Sequence, residues 1–128
     1  MSHTLLRFKV SAAVIAGLIG LAAAPAQAQT YPSQPIKLIV PTPAGGLADL
    51  VGRTLAAKLG EAGKTAIVEN RTTGAGVVAA ESVAKAAPDG YTIYVGLHTT
   101  QTIQPHLMAK LPYDVVKDFA PVILVAAT

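Results

Sequence analysis

The stretch PTPAGGLAD, Pro41–Asp49, lies between a short apolar run, Ile36–Val40, and an amphipathic segment, Leu47–Gly60. This order predicts a strand, a Pro/Gly-rich turn and a helix, so that unpaired N–H groups of the first helical turn meet at one point. Gly45 and Gly46 lack a Cβ, which lets a ligand approach the main chain and makes a positive φ inexpensive. The helix start favours an anion such as a carboxylate or phosphate. Any strand-to-helix corner also uses Gly and Pro for geometry alone, so both interpretations stay open at this point.

The helix that follows this turn is predicted to bury one stripe. Apolar residues recur at spacings of three and four, and most charged residues of the segment, Asp49 included, fall on the other side. The predicted buried stripe consists of Leu47, Leu50, Val51, Leu55 and Leu59.

The N-terminal 28 residues have the pattern of a secretory signal peptide. Arg7 and Lys9 form a basic head, Val10–Ala24 is apolar and uncharged, and the segment ends in the small residues that a signal peptidase recognises. A membrane anchor is the alternative, but about 15 apolar residues fall short of the ~20 needed to span a bilayer. We predict cleavage after Ala28 and a periplasmic location.

Charge and cysteine content exclude several classes of function. The chain has ten Lys and Arg against seven Asp and Glu. Two of the basic residues lie in the leader, so residues 29–128 carry eight against seven, or +1. This segment has no basic cluster, and we expect no nucleic-acid partner. The chain has no cysteine, which excludes disulfides, a cysteine nucleophile, thiolate metal sites and a cysteine-linked lipid anchor.

The rest of the chain alternates apolar strands with helical segments, which predicts an α/β fold with a parallel sheet, flanking helices and right-handed crossovers. A polar run, 97–104, follows the third strand, and 111–119 reads as a loop with one helical turn. The further predicted elements are strands Thr65–Glu69, Tyr91–Gly96 and Ala120–Ala126, a helix Val77–Ala87 and a short helical piece Pro105–Lys110.

Three successive strands end in small or polar loops, with the sequences PTPAGG, NRTTGAG and GLHTTQT. In open parallel sheets, ligands bind outside the carboxyl ends of the strands. We therefore expect all three loops to face one crevice, which strengthens the case for a binding site at the first loop.

Other motifs are weaker. Gly74, Ala75, Gly76 and Ala79 fit the dinucleotide pattern G-x-G-x-x-A, but they follow the second strand, and the third strand ends without the acidic residue that the pattern requires. His98 and His106 have no carboxylate at ligand spacing, so we expect no metal site. His98, in the third loop, is a candidate hydrogen-bond donor to a ligand.

Positive signs of catalysis are missing from the sequence. It has no G-x-S-x-G motif and no paired carboxylates at a common site. We therefore favour a binding protein that is not an enzyme and uses no cofactor. An exported enzyme or nucleotide-binding domain that acts on a small acid is the alternative, with only His98 and Asp49 available as a base in the crevice.

The chain also resembles the Bug-type solute receptors of tripartite tricarboxylate transporters. The resemblance runs through most of residues 29–128, in family order and spacing. The matching blocks are YPSQPIKLIVP (Tyr31–Pro41), AGGLAD (Ala44–Asp49), IVENR (Ile67–Arg71), GAG (Gly74–Gly76), VAKAAPDGYT (Val83–Thr92) and LPYDVVKDFAPV (Leu111–Val122).

This resemblance implies a monomeric periplasmic binding protein, type II-like, whose two α/β lobes close on a small carboxylated metabolite and deliver it to the membrane permease subunits. It implies that main-chain N–H groups of the first loop hold a ligand carboxylate, with small hydroxyl residues added by the third loop. The residues expected to bind the ligand are Ala44, Gly45, Gly46, Leu47, Asp49, Gly74, His98, Thr99 and Thr100.

Family members are much longer than this chain. We therefore expect residues 29–128 to be the N-terminal part of a receptor, comprising lobe one and the start of the crossover to lobe two. The chain would be either a truncated gene product or part of a longer sequence. With one face of the crevice only, we expect it to bind carboxylates more weakly than micromolar.

Overall fold

A computed structural model of the protein describes residues 30–125. The predicted signal peptide and its cleavage site lie outside these residues. Within them, three strands form a parallel sheet in the order β2-β1-β3. The strands are β1 (Ile36–Val40), β2 (Ala66–Asn70) and β3 (Thr92–Tyr94). The predicted parallel sheet is confirmed, and its strands lie within two residues of their predicted ends.

The helical elements follow the predicted order. They are α1 (Leu47–Glu61), a 3₁₀ turn (Thr73–Gly76), α2 (Val77–Ala84), a π-helical turn (Thr99–Ile103) and α3 (Gln104–Leu107). Helix α2 ends before the predicted Ala87, because the N–H of Ala86 bonds to the carbonyl of Val83 and tightens the last turn ahead of Pro88.

Strand β1 lies at the centre of the structure. Leu38 and Ile39 point to opposite faces of the sheet, yet their side chains are only 0% and 1% exposed. Both faces of β1 are therefore covered, which explains its almost wholly apolar sequence. Helix α1 packs against β1 and β2, and helix α2 packs against β1 and β3.

The predicted buried stripe of α1 is only partly correct. Val51, Leu55 and Leu59 are half-buried. Leu47 and Leu50 are 69% and 61% exposed, whereas the buried residues are Ala48, Asp49 and Gly52. A Cβ on Gly52 would lie 3.0 Å from Cγ2 of Val40, so the missing side chain lets the helix approach the sheet closely. That approach rotates the face of small residues inward and turns the two leucines outward.

A second core lies between α2 and the segment 111–119. Val77 and Tyr113 are buried there, and Phe119 packs at 5.9 Å from Tyr94 and 5.7 Å from Tyr113, measured between ring centroids. The N–H of Asp118 bonds to the carbonyl of Asp114, which confirms the single helical turn predicted in this segment.

The predicted fourth strand, Ala120–Ala126, is not present over 120–125, the part that the structure describes. Val122, Ile123 and Leu124 are 82%, 78% and 79% exposed. Their sequence favours a strand, but a strand needs a neighbour to bond with, and residues 30–125 provide none beside this segment.

We predict opposite effects for two glycine-to-alanine substitutions in α1. Gly52→Ala should lower the free energy of unfolding by about 1–3 kcal/mol, because fully buried Val40 has little room to move away from the new methyl group. Gly60→Ala, where a Cβ meets no atom within 4 Å, should raise it by about 0.5–1 kcal/mol through helix propensity. Urea unfolding followed by circular dichroism measures both. Equal effects at the two positions would contradict the close contact between α1 and the sheet.

Candidate functional site

The parallel register places the carboxyl ends of the three strands side by side, and the loops that follow them touch. We call these loops the first loop (41–46), the second loop (71–76) and the third loop (95–100). At Gly76, a Cβ would lie 2.8 Å from Cβ of Pro41 and 3.0 Å from Cγ2 of Thr100. The prediction that the three loops lie at one edge of the sheet is confirmed.

The carboxylate of Asp49 joins the first loop to α1 and β2. It is 2% exposed and accepts three hydrogen bonds. The Gly45 N–H and Arg53 Nε each donate to Oδ2 at 2.8 Å, and Asn70 Nδ2 donates to Oδ1 at 2.9 Å. Asn70 Nδ2 also donates to the carbonyl of Thr42 at 2.9 Å. Asp49 therefore lies inside the loop assembly, and its predicted place on the outer face of α1 is wrong.

These contacts keep Asp49 ionised. The hydrogen bond from Arg53, followed by those from the Gly45 N–H and Asn70, holds the pKa of the Asp49 carboxyl well below its usual range. The same pair raises the pKa of Arg53. Asp49 and Arg53 thus form a charge pair at every physiological pH.

The free N–H donors are not those of the two glycines. The Gly45 N–H is taken by Asp49, and the Gly46 N–H bonds to the carbonyl of Pro43 at 3.2 Å. The N–H groups of Leu47, Ala48 and Asp49 have no protein acceptor within residues 30–125. Gly45 is nevertheless needed for the turn, because its φ is +86°. The N–H groups without a protein acceptor therefore lie one to four residues after the two glycines.

The second loop makes a left-handed turn. Gly74, Ala75 and Gly76 have φ values of +63°, +52° and +88°, and Ala75 is the one non-glycine residue with positive φ in the described part of the chain. Gly74 is exposed at the tip, and the carbonyl of Gly74 accepts the N–H of Val77. Gly74 is thus exposed to solvent, and its role in binding a ligand stays a prediction.

The third loop presents two of its three predicted site residues. His98 and Thr99 are exposed, but Thr100 is 1% exposed. The Thr100 hydroxyl donates to the carbonyl of Leu97 and accepts the hydroxyl of Tyr94, both at 2.9 Å. Its predicted role as a hydroxyl donor to ligand is therefore not supported by the geometry, and we assign Thr100 to packing behind the loop.

Four residues at this edge were not predicted from the sequence. The amides of Asn70 and Gln104 donate to the loop carbonyls of Thr42 and Ala75. Tyr113 donates its hydroxyl to the Thr100 carbonyl at 3.1 Å, and the buried hydroxyl of Thr42 lacks a partner among the described residues. A polar residue ending a buried strand is the signal that could have identified Asn70. Gln104 ends the polar run 97–104, but no local signal in the sequence predicts its contact with Ala75, 29 residues away, or the contact of Tyr113 with Thr100.

An open depression lies elsewhere on the surface, beside α3. Its volume is about 580 Å³ and its lining includes Pro105, Met108 and Tyr113. None of the predicted ligand-binding residues lines it. Between residues 30 and 125, no cluster of three potential metal ligands occurs, and no helix is both long and apolar enough to cross a membrane.

We predict that replacing Asp49 by Asn lowers the melting temperature of the chain by about 5–10 °C at pH 7 through loss of the charged hydrogen bonds. A depressed folded-state pKa adds stability above the usual carboxyl pKa near 4, and that stability is lost as the pH falls further. The difference in melting temperature between the unsubstituted chain and Asp49→Asn should therefore be constant above pH 5 and shrink below pH 4.

Glu61→Gln in the same helix is the control for this prediction. The Glu61 side chain is 64% exposed and forms an ion pair with Lys58, and such surface pairs contribute little to stability. Thermal melts across the pH range measure both substitutions. An equal loss of melting temperature for Glu61→Gln and Asp49→Asn would contradict the stabilising role of the Asp49 hydrogen bonds.

Comparison with known proteins agrees with this architecture. BugT of Bordetella pertussis is 40% identical over 105 residues, covering 80% of this chain and 32% of BugT. The structure of R. palustris Rpa4515 with adipate superimposes with a TM-score of 0.70 at 35% identity, over 73% of this chain and 31% of that protein. The structure of MatC (Rpa3494) from Rhodopseudomonas palustris with bound malate superimposes with a TM-score of 0.68 at 38% identity, over 72% of this chain and 32% of that protein.

The chain thus spans about a third of the length of the relatives it matches. The profile of the tripartite tricarboxylate transporter family receptors matches residues 49–128, which are more than half of the chain. These receptors are periplasmic proteins. On this match, the chain belongs to the tripartite tricarboxylate transporter receptor family.

Proposed function

We propose that this chain forms one wall of the binding crevice of a periplasmic receptor for a small dicarboxylic acid. The observation that carries the proposal is the first turn of α1. The N–H groups of Leu47, Ala48 and Asp49 have no acceptor among the described residues, and they lie at the edge where the three loops meet.

A carboxylate suits these donors. N–H groups at the start of a 15-residue helix combine hydrogen bonding with the partial positive charge of the helix dipole. The negative charge of Asp49 would oppose a second anion nearby, but Arg53 lies 2.8 Å from its Oδ2 and offsets that charge. The first turn of α1 can therefore accept a ligand carboxylate.

The ligand class follows from relatives with the same fold. One similar structure contains adipate and another contains malate, and both molecules are dicarboxylates. We place one carboxylate of such a ligand at the α1 amides. The backbone of Ala44, Gly45 and Gly46 shapes that end of the site. The exposed Gly74, His98 and Thr99 border the rest of the molecule.

The complete receptor would need a second wall. Relatives are about two and a half times as long as this chain, and a second lobe that closes over the ligand would exclude water and strengthen each hydrogen bond. We assign the receptor to the periplasm after cleavage behind Ala28. Its proposed partners are the permease subunits of the transporter, and we assign it a monomeric state.

An exported enzyme is the second hypothesis, and the geometry favours it less. Of its two candidate bases, Asp49 already accepts three hydrogen bonds and its pKa is depressed, which makes it a poor proton acceptor. The remaining candidate, His98, is exposed. Binding without turnover needs no base, metal or cofactor, so the receptor function is consistent with all of these observations.

We predict that adipate or malate, added to the ¹⁵N-labelled chain, shifts the amide resonances of Leu47, Ala48 and Asp49, with smaller shifts at His98 and Thr99. One wall offers few donors, so we expect a Kd of about 1–10 mM. Adipamide, which has the same length and no charge, should cause no shifts. Absence of shifts at 20 mM adipate (an excess of roughly 2–20 Kd on this estimate), or shifts confined to the depression beside α3, would contradict the proposed function.

Two matched substitutions test the position of the site. Gly45→Asp places a negative charge beside the α1 amides and should abolish the adipate-induced shifts. Gly63→Asp, at the far end of α1, is the control, since both glycines have positive φ and open space for a Cβ. Backbone strain and charge are thus equal in the two variants. Equal loss of binding in both would show that strain or net charge, not the site, is responsible.

A further inference from the structure

The left-handed turn of the second loop is held by a side chain from a distant part of the sequence. Gln104 Nε2 donates to the carbonyl of Ala75 at 2.8 Å, across 29 residues of chain. A carbonyl oxygen can only accept, so the amide nitrogen of Gln104 must face it. Gln104 Oε1 then points to the hydroxyl of Tyr113, 3.5 Å away.

Ala75 needs such support. Its φ of +52° and ψ of +35° lie in the left-handed region, where a Cβ clashes with the following carbonyl and costs about 1–2 kcal/mol. Strained residues of this kind persist only where their surroundings hold them. The flanking residues Gly74 and Gly76 adopt the same region without that penalty.

Tyr113, the residue next to Gln104 Oε1, is itself buried and hydrogen-bonded. Tyr113 is 7% exposed, donates its hydroxyl to the Thr100 carbonyl at 3.1 Å, and packs edge-on against Phe119. Gln104 begins α3, directly after the π-helical turn that contains Thr100. The core between α2 and the segment 111–119 therefore holds the start of α3, from which the side chain of Gln104 extends to the second loop.

The turn that Gln104 holds also determines the shape of the proposed crevice. Gly76 lies against Pro41 of the first loop and Thr100 of the third loop, with no space for a Cβ. A change in the conformation of 74–76 would therefore alter the spacing of all three loops. We propose that Gln104 is a positioning residue of the ligand site, which holds Ala75 in the left-handed conformation and so sets the second loop for dicarboxylate binding.

This inference rests on the proposed function for its ligand, while its structural part can be measured without ligand. In the ¹⁵N-labelled chain, Gln104→Ala should shift and broaden the resonances of residues 73–77. It should also weaken adipate binding about 3–10-fold, the effect of one hydrogen bond. Gln101→Ala is the matched control: Gln101 lies in the π-helical turn that directly precedes Gln104, and its side chain makes no hydrogen bond within residues 30–125. It should leave both readouts unchanged.

A double substitution separates positioning from direct contact with the ligand. Ala75→Gly removes the cost of the left-handed conformation, so the loop should stay in place without Gln104. In the Ala75→Gly background, Gln104→Ala should therefore cause a much smaller change in the loop resonances and less than a twofold loss of affinity. Rescue of both readouts supports the proposal.

Two results would overturn the positioning role. One is a Gln104→Ala loop with unchanged resonances, and the other is an equal effect of Gln104→Ala in both backgrounds. Failure of the unsubstituted chain to bind adipate would instead contradict the proposed function, and the ligand-free resonances would still decide whether Gln104 holds the loop.

Discussion

The carboxylate of Asp49 connects the parts of this structure on which the candidate site depends. It binds the N–H of Gly45, the guanidinium of Arg53 and the amide of Asn70, so one buried group joins the first loop, α1 and the end of β2. Burial of a carboxylate is unfavourable unless its oxygens are fully bonded. The arrangement of these three partners is therefore strongly constrained, and the loop between β1 and α1 takes its shape from that constraint.

This interaction also decides which backbone groups remain for a ligand. Because Asp49 binds the Gly45 N–H, the donors left without an acceptor in residues 30–125 are those of the first turn of α1. On this proposal, the glycines allow the conformation of the turn, and the N–H groups of the first turn of α1 bind the ligand. Two similar structures contain adipate and malate, which belong to the ligand class proposed for these donors.

Much of the fold was predictable because it depends on local pattern. The apolar run Ile36–Val40 became the central strand, and the glycine-containing turns became the loops at one edge. The orientation of α1 was not predictable from its leucines, because the close approach at Gly52 decides which face is buried. The strand predicted at 120–126 shows a similar limit over its described residues: sequence gives propensity, whereas pairing requires a neighbouring strand.

The site was predictable to the level of loops but not of atoms. Gly45 was expected to allow a positive φ and does so, yet the availability of its N–H depended on where Asp49 points. Thr100 was expected to face a ligand because it is a small hydroxyl residue, but Tyr94 and Leu97 take up its hydroxyl. The hydrogen-bond partner that each of these groups takes depends on the packed structure around it, which the local sequence pattern does not predict.

Amide hydrogen exchange of the chain, with and without adipate, tests whether Asp49 takes the Gly45 N–H and leaves the first turn of α1 for the ligand. We expect the N–H of Gly45 to be protected in both conditions by its bond to Asp49. We expect the N–H groups of Leu47 and Ala48 to exchange freely in the absence of ligand and to become protected when adipate is present. Rapid exchange at Gly45, or protection of Leu47 and Ala48 in the free chain, would contradict this division of the donors.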